Sequence, residues 1–140
     1  MDVIAQYDKV FCEWSSSQAF LLRNKEIEQL DFENLIEEIE SLGASDQRAF
    51  TSYLARILQH LLKVKYQPNK KTKSWDRSIK LYRSQSMRIL KKNPSFKNMI
   101  PEFFSDAYQM GCLEAAKETG LDIETFPEEC EWTIEEVLGE

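Results

Sequence analysis

The residues with the greatest capacity for catalysis are few in this chain, and they are far apart. The one histidine, His60, lies at the edge of an apolar stripe, one turn from Ile57 and Val64. Metal sites in helix bundles pair glutamates with a Glu-x-x-His motif on facing helices. Here Ile57 stands three residues before His60, and the nearest carboxylate pair is Glu37-x-x-Glu40. We therefore expect a partly buried structural histidine, and the sequence predicts no metal and no cofactor.

An enzymatic function is the less favoured interpretation. These residue types leave one enzymatic alternative open, which is a helical-bundle site near His60, Glu37 and Glu40. The chain contains no Gly-rich phosphate loop, no GxSxG nucleophile turn and no HExxH metalloprotease motif. No catalytic residue is assigned from the sequence.

A second group of residues is suited to binding. It forms a basic–aromatic strip of seven cations with two aromatic residues between them: Lys63, Lys65, Tyr66, Lys70, Lys71, Lys73, Trp75, Arg77 and Lys80. Proteins that bind single-stranded nucleic acid combine basic and aromatic side chains in this way. Exposed charge runs are more often only solvated surface. Pairing with acidic parts of the same chain, binding to nucleic acid and binding to an acidic protein all stay open.

The charges are sorted along the sequence. Residues 1–50 hold eleven acids and four bases (net −7), residues 51–100 one acid and thirteen bases (net +12), and residues 101–140 twelve acids and one base (net −11). The formal net charge of −6 hides this segregation. Because both flanks would repel phosphate, the pattern counts against nucleic acid.

Helices must position these residues, since no segment alternates with the period of a strand. Apolar spacing predicts five or six of them in one all-α bundle. The first predicted helix passes through Trp14, the second runs from Phe32 to a stop at Gly43, and the third runs from Ser45 to about Gln67. The fourth runs from Thr72 or Ser74 to Pro94, and the fifth from Pro101 to Gly120. A short last helix begins at a Thr133–Glu136 capping box. The third has the widest apolar stripe, which is typical of a central helix.

Two of these helices carry opposed charges. On the fourth, Arg77, Lys80, Arg88 and Lys91 form a basic ridge opposite Trp75. On the second, Glu33, Glu37 and Glu40 form an acidic ridge opposite an apolar stripe of Phe32, Leu35, Ile36, Ile39 and Leu42. Like charges three or four residues apart cost roughly 0.2–0.5 kcal/mol each, so a neighbouring group should offset them.

Length and composition indicate one cytoplasmic domain over residues 1–140. A chain of 140 residues has the size of one domain, and its 42% apolar and 30% charged residues are typical of a globular protein. No segment approaches the roughly 18 apolar residues that a membrane span needs. The three cysteines are far apart and form no CxxC pair, so neither a disulfide framework nor a zinc site is predicted.

Several strings together resemble one family. They are LDFENLIEEIESLG at Leu30–Gly43, HLLKVKYQP at His60–Pro68, KSWDRSI at Lys73–Ile79 and ETGLDIETFPEEC at Glu118–Cys130. Their order and intervals resemble the bacterial, largely cyanobacterial, domain-of-unknown-function family twenty-nine. The resemblance covers nearly the whole chain and implies one all-helical domain. It implies no activity and no functional residues.

The sequence thus favours a non-enzymatic binding module whose surface runs from Lys63 to Lys91, for nucleic acid or an acidic protein. The residues predicted to bind are the basic–aromatic strip together with Arg88 and Lys91. A toxin–antitoxin type of operon partner is a further alternative. No membrane partner is predicted, and nothing in the sequence supports homo-oligomerisation.

Overall fold

Five α-helices make up most of the chain. The computed structural model describes the backbone of residues 3–140 and the side chains from Lys9 onward. The helices are α1 (Val3–Arg23), α2 (Phe32–Tyr66), α3 (Lys73–Lys92), α4 (Ile100–Thr119) and α5 (Ile134–Leu138), with short 3-10 turns between them. No strand occurs in the described range, so the predicted all-α class is confirmed.

The helices group into two compact units, residues 1–42 and residues 43–140. We call the first the hairpin, because α1 and the start of α2 form it, and the second the bundle. The expectation of a single domain over residues 1–140 stays a prediction.

In the hairpin, a polar contact joins α1 to the start of α2. The Trp14 indole Nε1 donates to Asp31 Oδ2 at 2.9 Å, and the Asp31 backbone N–H donates to Gln18 Oε1 at 2.8 Å. Asp31 Oδ1 also accepts from the Asn34 backbone N–H at 3.4 Å. Hydrogen bonds from Asn34 and Trp14 lower the pKa of Asp31. The predicted helix start at Asp31-Phe32 is confirmed.

The predicted break at Gly43 is wrong, because α2 runs unbroken through 35 residues. Gly43 does not adopt the left-handed conformation that ends helices at Gly120 and Gly139. An internal glycine costs a helix only about 1 kcal/mol relative to alanine. The good helix formers on both sides and the burial of the later part of α2 outweigh that cost. The second and third predicted helices are therefore one element, and Ser45 caps nothing.

In the bundle, α2 is the central helix, as predicted. Phe50, Leu54, Ile57, Leu58 and Leu62 are fully buried along one face. Gly111 of α4 lets that helix approach closely, because a Cβ there would lie 3.0 Å from the Ala55 carbonyl oxygen. Close helix packing at this crossing fixes α4 against α2.

The predicted ends of the remaining helices are confirmed. Gly120 has φ +75° and its N–H reaches the Ala116 carbonyl, which terminates α4. Lys92 is the last residue of α3, two residues before Pro94, and Thr133 with Glu136 forms a complete capping box at α5. None of the helices in the described range is both long and apolar enough to cross a bilayer.

Candidate functional site

The basic ridge lies on the exposed face of α3. Arg77, Lys80, Arg88 and Lys91 are all exposed, while Ile79, Ser86 and Leu90 on the other side of the helix are buried. Within residues 43–140, all of which the structure describes, no carboxylate lies within salt-bridge distance of any of the four. The bundle itself therefore does not neutralise this ridge.

The ridge is narrow and long. At 100° per residue its four cations fall within roughly 80° of the helix circumference, and Lys73 lies in the same line one turn before Arg77. From Lys73 to Lys91 the line extends about 27 Å at 1.5 Å per residue. Ser84 lies between Lys80 and Arg88, so no acidic group interrupts the row.

Lys63 is not part of this open surface. Its side chain is only 10% exposed and forms an ion pair with Glu118 of α4. Its ammonium group also lies 4.4 Å from the centroid of the Trp75 ring, a cation–π geometry. The hydrogen bond from Lys63 lowers the pKa of Glu118. Both Lys63 and Trp75 thus join helices of the bundle to one another.

Tyr66 and its neighbours are also engaged within the bundle. The Tyr66 ring packs edge-on against Phe126 at 5.2 Å between centroids. Lys65 forms an ion pair with Glu131, and Lys71 forms one with Asp76 at 3.3 Å. Lys70 and Lys73 are exposed. The strip that the sequence suggests is therefore divided. Its two aromatic rings each contact another side chain of the bundle, and its later cations form the open ridge.

His60 is half-buried and stacks on Tyr82, with 6.4 Å between ring centroids. Burial lowers its pKa from the ordinary value of 6.5, and the nearby charge of Lys63 lowers it further. Glu37 and Glu40 lie on the same helix α2, in the hairpin. His60 lies on the same helix, in the bundle. The enzymatic alternative with a site near these three residues stays a prediction.

A cleft of about 810 Å³ adjoins the end of the ridge, between α3, the turn Pro94–Met99 and α5. Arg88 and Lys91 belong to both the ridge and the cleft, and Lys97 adds a third cation. The cleft is lined by Ser84, Met87, Arg88, Leu90, Lys91, Pro94, Lys97, Ile100, Ile134, Glu135, Leu138 and Glu140. Its lining is thus apolar at the centre and charged at both edges.

Arg83 holds the α5 wall of this cleft in place. Its guanidinium donates from Nε to the Val137 carbonyl at 2.9 Å and from Nη2 to the Glu136 carbonyl at 3.0 Å. The two carbonyls lie at the end of α5, where helix carbonyls lack their usual donors; the Glu136 carbonyl also accepts from the Gly139 N–H at 3.3 Å. Arg83 is not among the residues predicted from the sequence. The only available signal was an arginine one residue after Tyr82, between the ridge and the apolar face.

A family model matches nearly the whole chain. The model of the domain of unknown function DUF29 matches residues 6–140. The chain belongs to the DUF29 family. The resemblance predicted from the sequence is thereby confirmed over nearly its full length. No curated protein and no solved structure gives a match.

In the described part of this DUF29 domain, no group of three His, Cys, Asp or Glu side chains is arranged to hold a metal ion. Cys112 is buried, and burial raises the pKa of its thiol, which is the opposite of what an activated nucleophile needs. That the charged surface of α3 is a binding surface stays a prediction.

Proposed function

We propose that this DUF29 domain is a non-enzymatic binding module that holds an acidic protein partner along α3. The observation that carries the proposal is the basic ridge of Arg77, Lys80, Arg88 and Lys91, exposed and without ion pairs inside the bundle. A row of like charges destabilises its own helix. A partner that brings carboxylates to the row would remove that cost on binding.

Two observations favour an acidic protein over nucleic acid. Binding of single strands depends on stacking of bases on open aromatic rings, whereas Tyr66 packs on Phe126 and Trp75 lies against Lys63. The ridge also borders apolar surface, with Leu81 and Met87 exposed beside it. Apolar anchors next to complementary charge are typical of protein recognition.

The experiment uses a fluorescently labelled, helix-forming peptide of Glu, Leu and Ala, with labelled RNA and DNA in parallel. Fluorescence anisotropy is measured at about 50 mM salt, where charge contacts are strongest. We expect the peptide to bind, and the variant R77E/R88E to weaken it about tenfold or more, a change of about 1.4 kcal/mol or more.

The matched control is R48E/R56E, which changes the net charge equally at two exposed arginines of α2. It should bind the peptide within about twofold of the unchanged protein, because neither arginine is on the ridge. Equal losses in both variants would overturn the proposal, as would absence of peptide binding at low salt. Ridge-dependent binding of RNA or DNA without the peptide would replace it with the nucleic-acid function.

A further inference from the structure

The cleft at the end of α3 carries an inference about the kind of partner, and it rests on the function proposed above. The ridge does not end at a charged tip, because Arg88 and Lys91 continue into the rim of the cleft. A partner lying along the ridge would therefore reach the cleft with the same face. The two features form one continuous surface.

The centre of the cleft is apolar. Leu90 and Leu138 are buried at its base, and Met87 is exposed at its edge. The volume of about 810 Å³ is within the range of pockets that enclose ligands, which is roughly 300–1,000 Å³. Moving an apolar side chain from water into such a site is favourable by about 25 cal/mol per Å² of apolar surface.

The cleft is preformed. Arg83 bonds two carbonyls of α5, Val137 is fully buried, and the capping box at Thr133 fixes the start of that helix. An occupant therefore does not have to order the α5 wall, and binding avoids that entropic cost.

The charges of the cleft are one-sided. Arg88, Lys91 and Lys97 line the side formed by α3 and the following turn, whereas Glu135 and Glu140 line the side formed by α5 and the residues after it. An acidic group on the occupant would be attracted on the first side and repelled on the second. The occupant complementary to this pattern has acids along one flank only.

We infer that the cleft receives apolar side chains of an amphipathic helix whose acidic flank lies along the α3 ridge and whose other flank carries no acids. Helices dock in grooves through apolar residues spaced three, four and seven positions apart. The spacing places an acidic row beside the apolar row, so a helix whose acidic row meets Arg88 and Lys91 can direct apolar side chains into the adjoining cleft. The ridge attracts the acidic flank and sets the position of the helix along α3. The cleft favours this helix over other acidic chains because it accommodates apolar side chains.

The test compares two labelled peptides in the anisotropy assay. The first has Leu at the anchor positions and Glu on one flank. The second is identical except that Ala replaces the anchor leucines. We expect the first to bind about tenfold more tightly, from the burial of several apolar groups. Moving the glutamates of the first peptide to its opposite flank should also weaken binding.

Variants of the protein locate the contact. Met87→Gln changes an exposed side chain of the cleft, and Met110→Gln changes an exposed methionine of α4 that does not line it. M87Q should weaken the Leu peptide several-fold and leave the Ala peptide unchanged, whereas M110Q should change neither. Circular dichroism verifies that both variants fold.

The outcomes separate the inference from the proposed function. Equal, ridge-dependent binding of both peptides would overturn the inference and leave the function standing. Failure of both peptides to bind would overturn the function itself. Loss of peptide binding with M110Q instead of M87Q would place the binding site elsewhere and overturn the inference. Self-association of the protein in sedimentation that M87Q abolishes would identify a second copy as the occupant, which would also overturn it.

Discussion

The hairpin and the bundle use the same helix in opposite ways. In the bundle, α2 buries Phe50, Leu54 and Ile57 completely. In the hairpin, the same helix leaves Phe32, Ile36, Ile39 and Leu42 between 52% and 66% exposed. The hairpin is acidic, and its contact between α1 and α2 includes the polar group of Trp14, Gln18 and Asp31. The bundle carries the basic ridge on α3, and its helices pack around an apolar core.

A helical apolar stripe therefore predicts that a helix forms, but not whether another element packs over the stripe. Both stretches of α2 show the three- and four-residue spacing of an amphipathic helix. In the bundle, α4 and α3 pack on the later stretch. Burial depends on elements that are distant in sequence.

The largest effect is expected from a matched pair of phenylalanines on α2. Phe50 is fully buried between Phe96 and Phe103, with ring centroids at 6.2 and 5.8 Å. Phe50→Ala should lower the free energy of unfolding by about 3–5 kcal/mol. Phe32→Ala, at an exposed position, should change it by no more than about 0.5 kcal/mol. Urea unfolding measures both, and a cost above about 2 kcal/mol for Phe32→Ala would show that its stripe is covered in solution.

Two glycines provide the next comparison. A Cβ at Gly111 would lie 3.0 Å from the Ala55 carbonyl oxygen and 3.1 Å from Leu58 Cβ, whereas a Cβ at Gly43 meets nothing within 4 Å. Gly111→Ala should therefore destabilise the bundle by about 1–3 kcal/mol. Gly43→Ala should stabilise α2 by about 0.5–1 kcal/mol, since alanine loses less backbone entropy. Thermal unfolding is the measurement, and a destabilising Gly43→Ala would argue against a continuous α2.

Acid should lower the stability of the two units at different pH values. The pKa of His60 is lowered in the folded bundle, so the stability it contributes is present above about pH 6.5 and is lost as the pH falls through its folded value. The pKa of Asp31 is lowered from 3.8, so the hairpin keeps that contribution until the pH falls below that value. NMR of the indole N–H groups of Trp14 and Trp75 follows each unit.

His60→Gln is the control for the acid prediction. It should flatten the loss of bundle stability as the pH falls below about 6.5, because glutamine does not titrate. The Trp14 signal should not respond to this substitution. An unchanged slope in the bundle would show that another group causes the loss.

The smallest effects concern the two charged ridges. Arg88 has Lys91 and Lys92 three and four residues after it, and Glu37 has Glu33 and Glu40 at the same spacings. Arg88→Gln and Glu37→Gln should each stabilise the protein by a few tenths of a kcal/mol at low salt, since each like-charge pair costs about 0.2–0.5 kcal/mol. Unfolding at about 1 M salt, where the screening length is about 3 Å, should erase both gains. A loss of stability with Arg88→Gln would mean that the ridge already has a partner within the protein.

Much of the fold followed from local patterns. The central role of Phe50 to Leu62, the stop at Gly120 and the capping box at Thr133 depend on residues within one or two turns of each other. Such signals are present in the sequence itself. The error at Gly43 has the same origin, because a local stop signal was outweighed by packing farther along α2.

The candidate site was predictable only in part. The ridge on α3 is a helical spacing of cations, and the sequence contains it. The contacts of Trp75 with Lys63 and of Tyr66 with Phe126 depend on partners elsewhere in the chain. Lys63 also pairs with Glu118 across 55 positions. Nothing local distinguishes these residues from exposed ones. The cleft could not be predicted because its walls come from α3, the turn after it and α5.

The two hydrogen bonds from Arg83 have a consequence for the order of folding. They join residues 53 and 54 positions apart, and the five-residue α5 is too short to be stable alone. Helix α5 therefore assembles after α3 is formed, and it detaches by local opening at lower free energy than global unfolding. Amide protons of Val137 and Leu138 should exchange with solvent earlier than those of Leu54 and Leu58. A bound partner would slow that exchange, so hydrogen exchange with deuterated solvent reports occupancy of the cleft without a fluorescent label on either molecule.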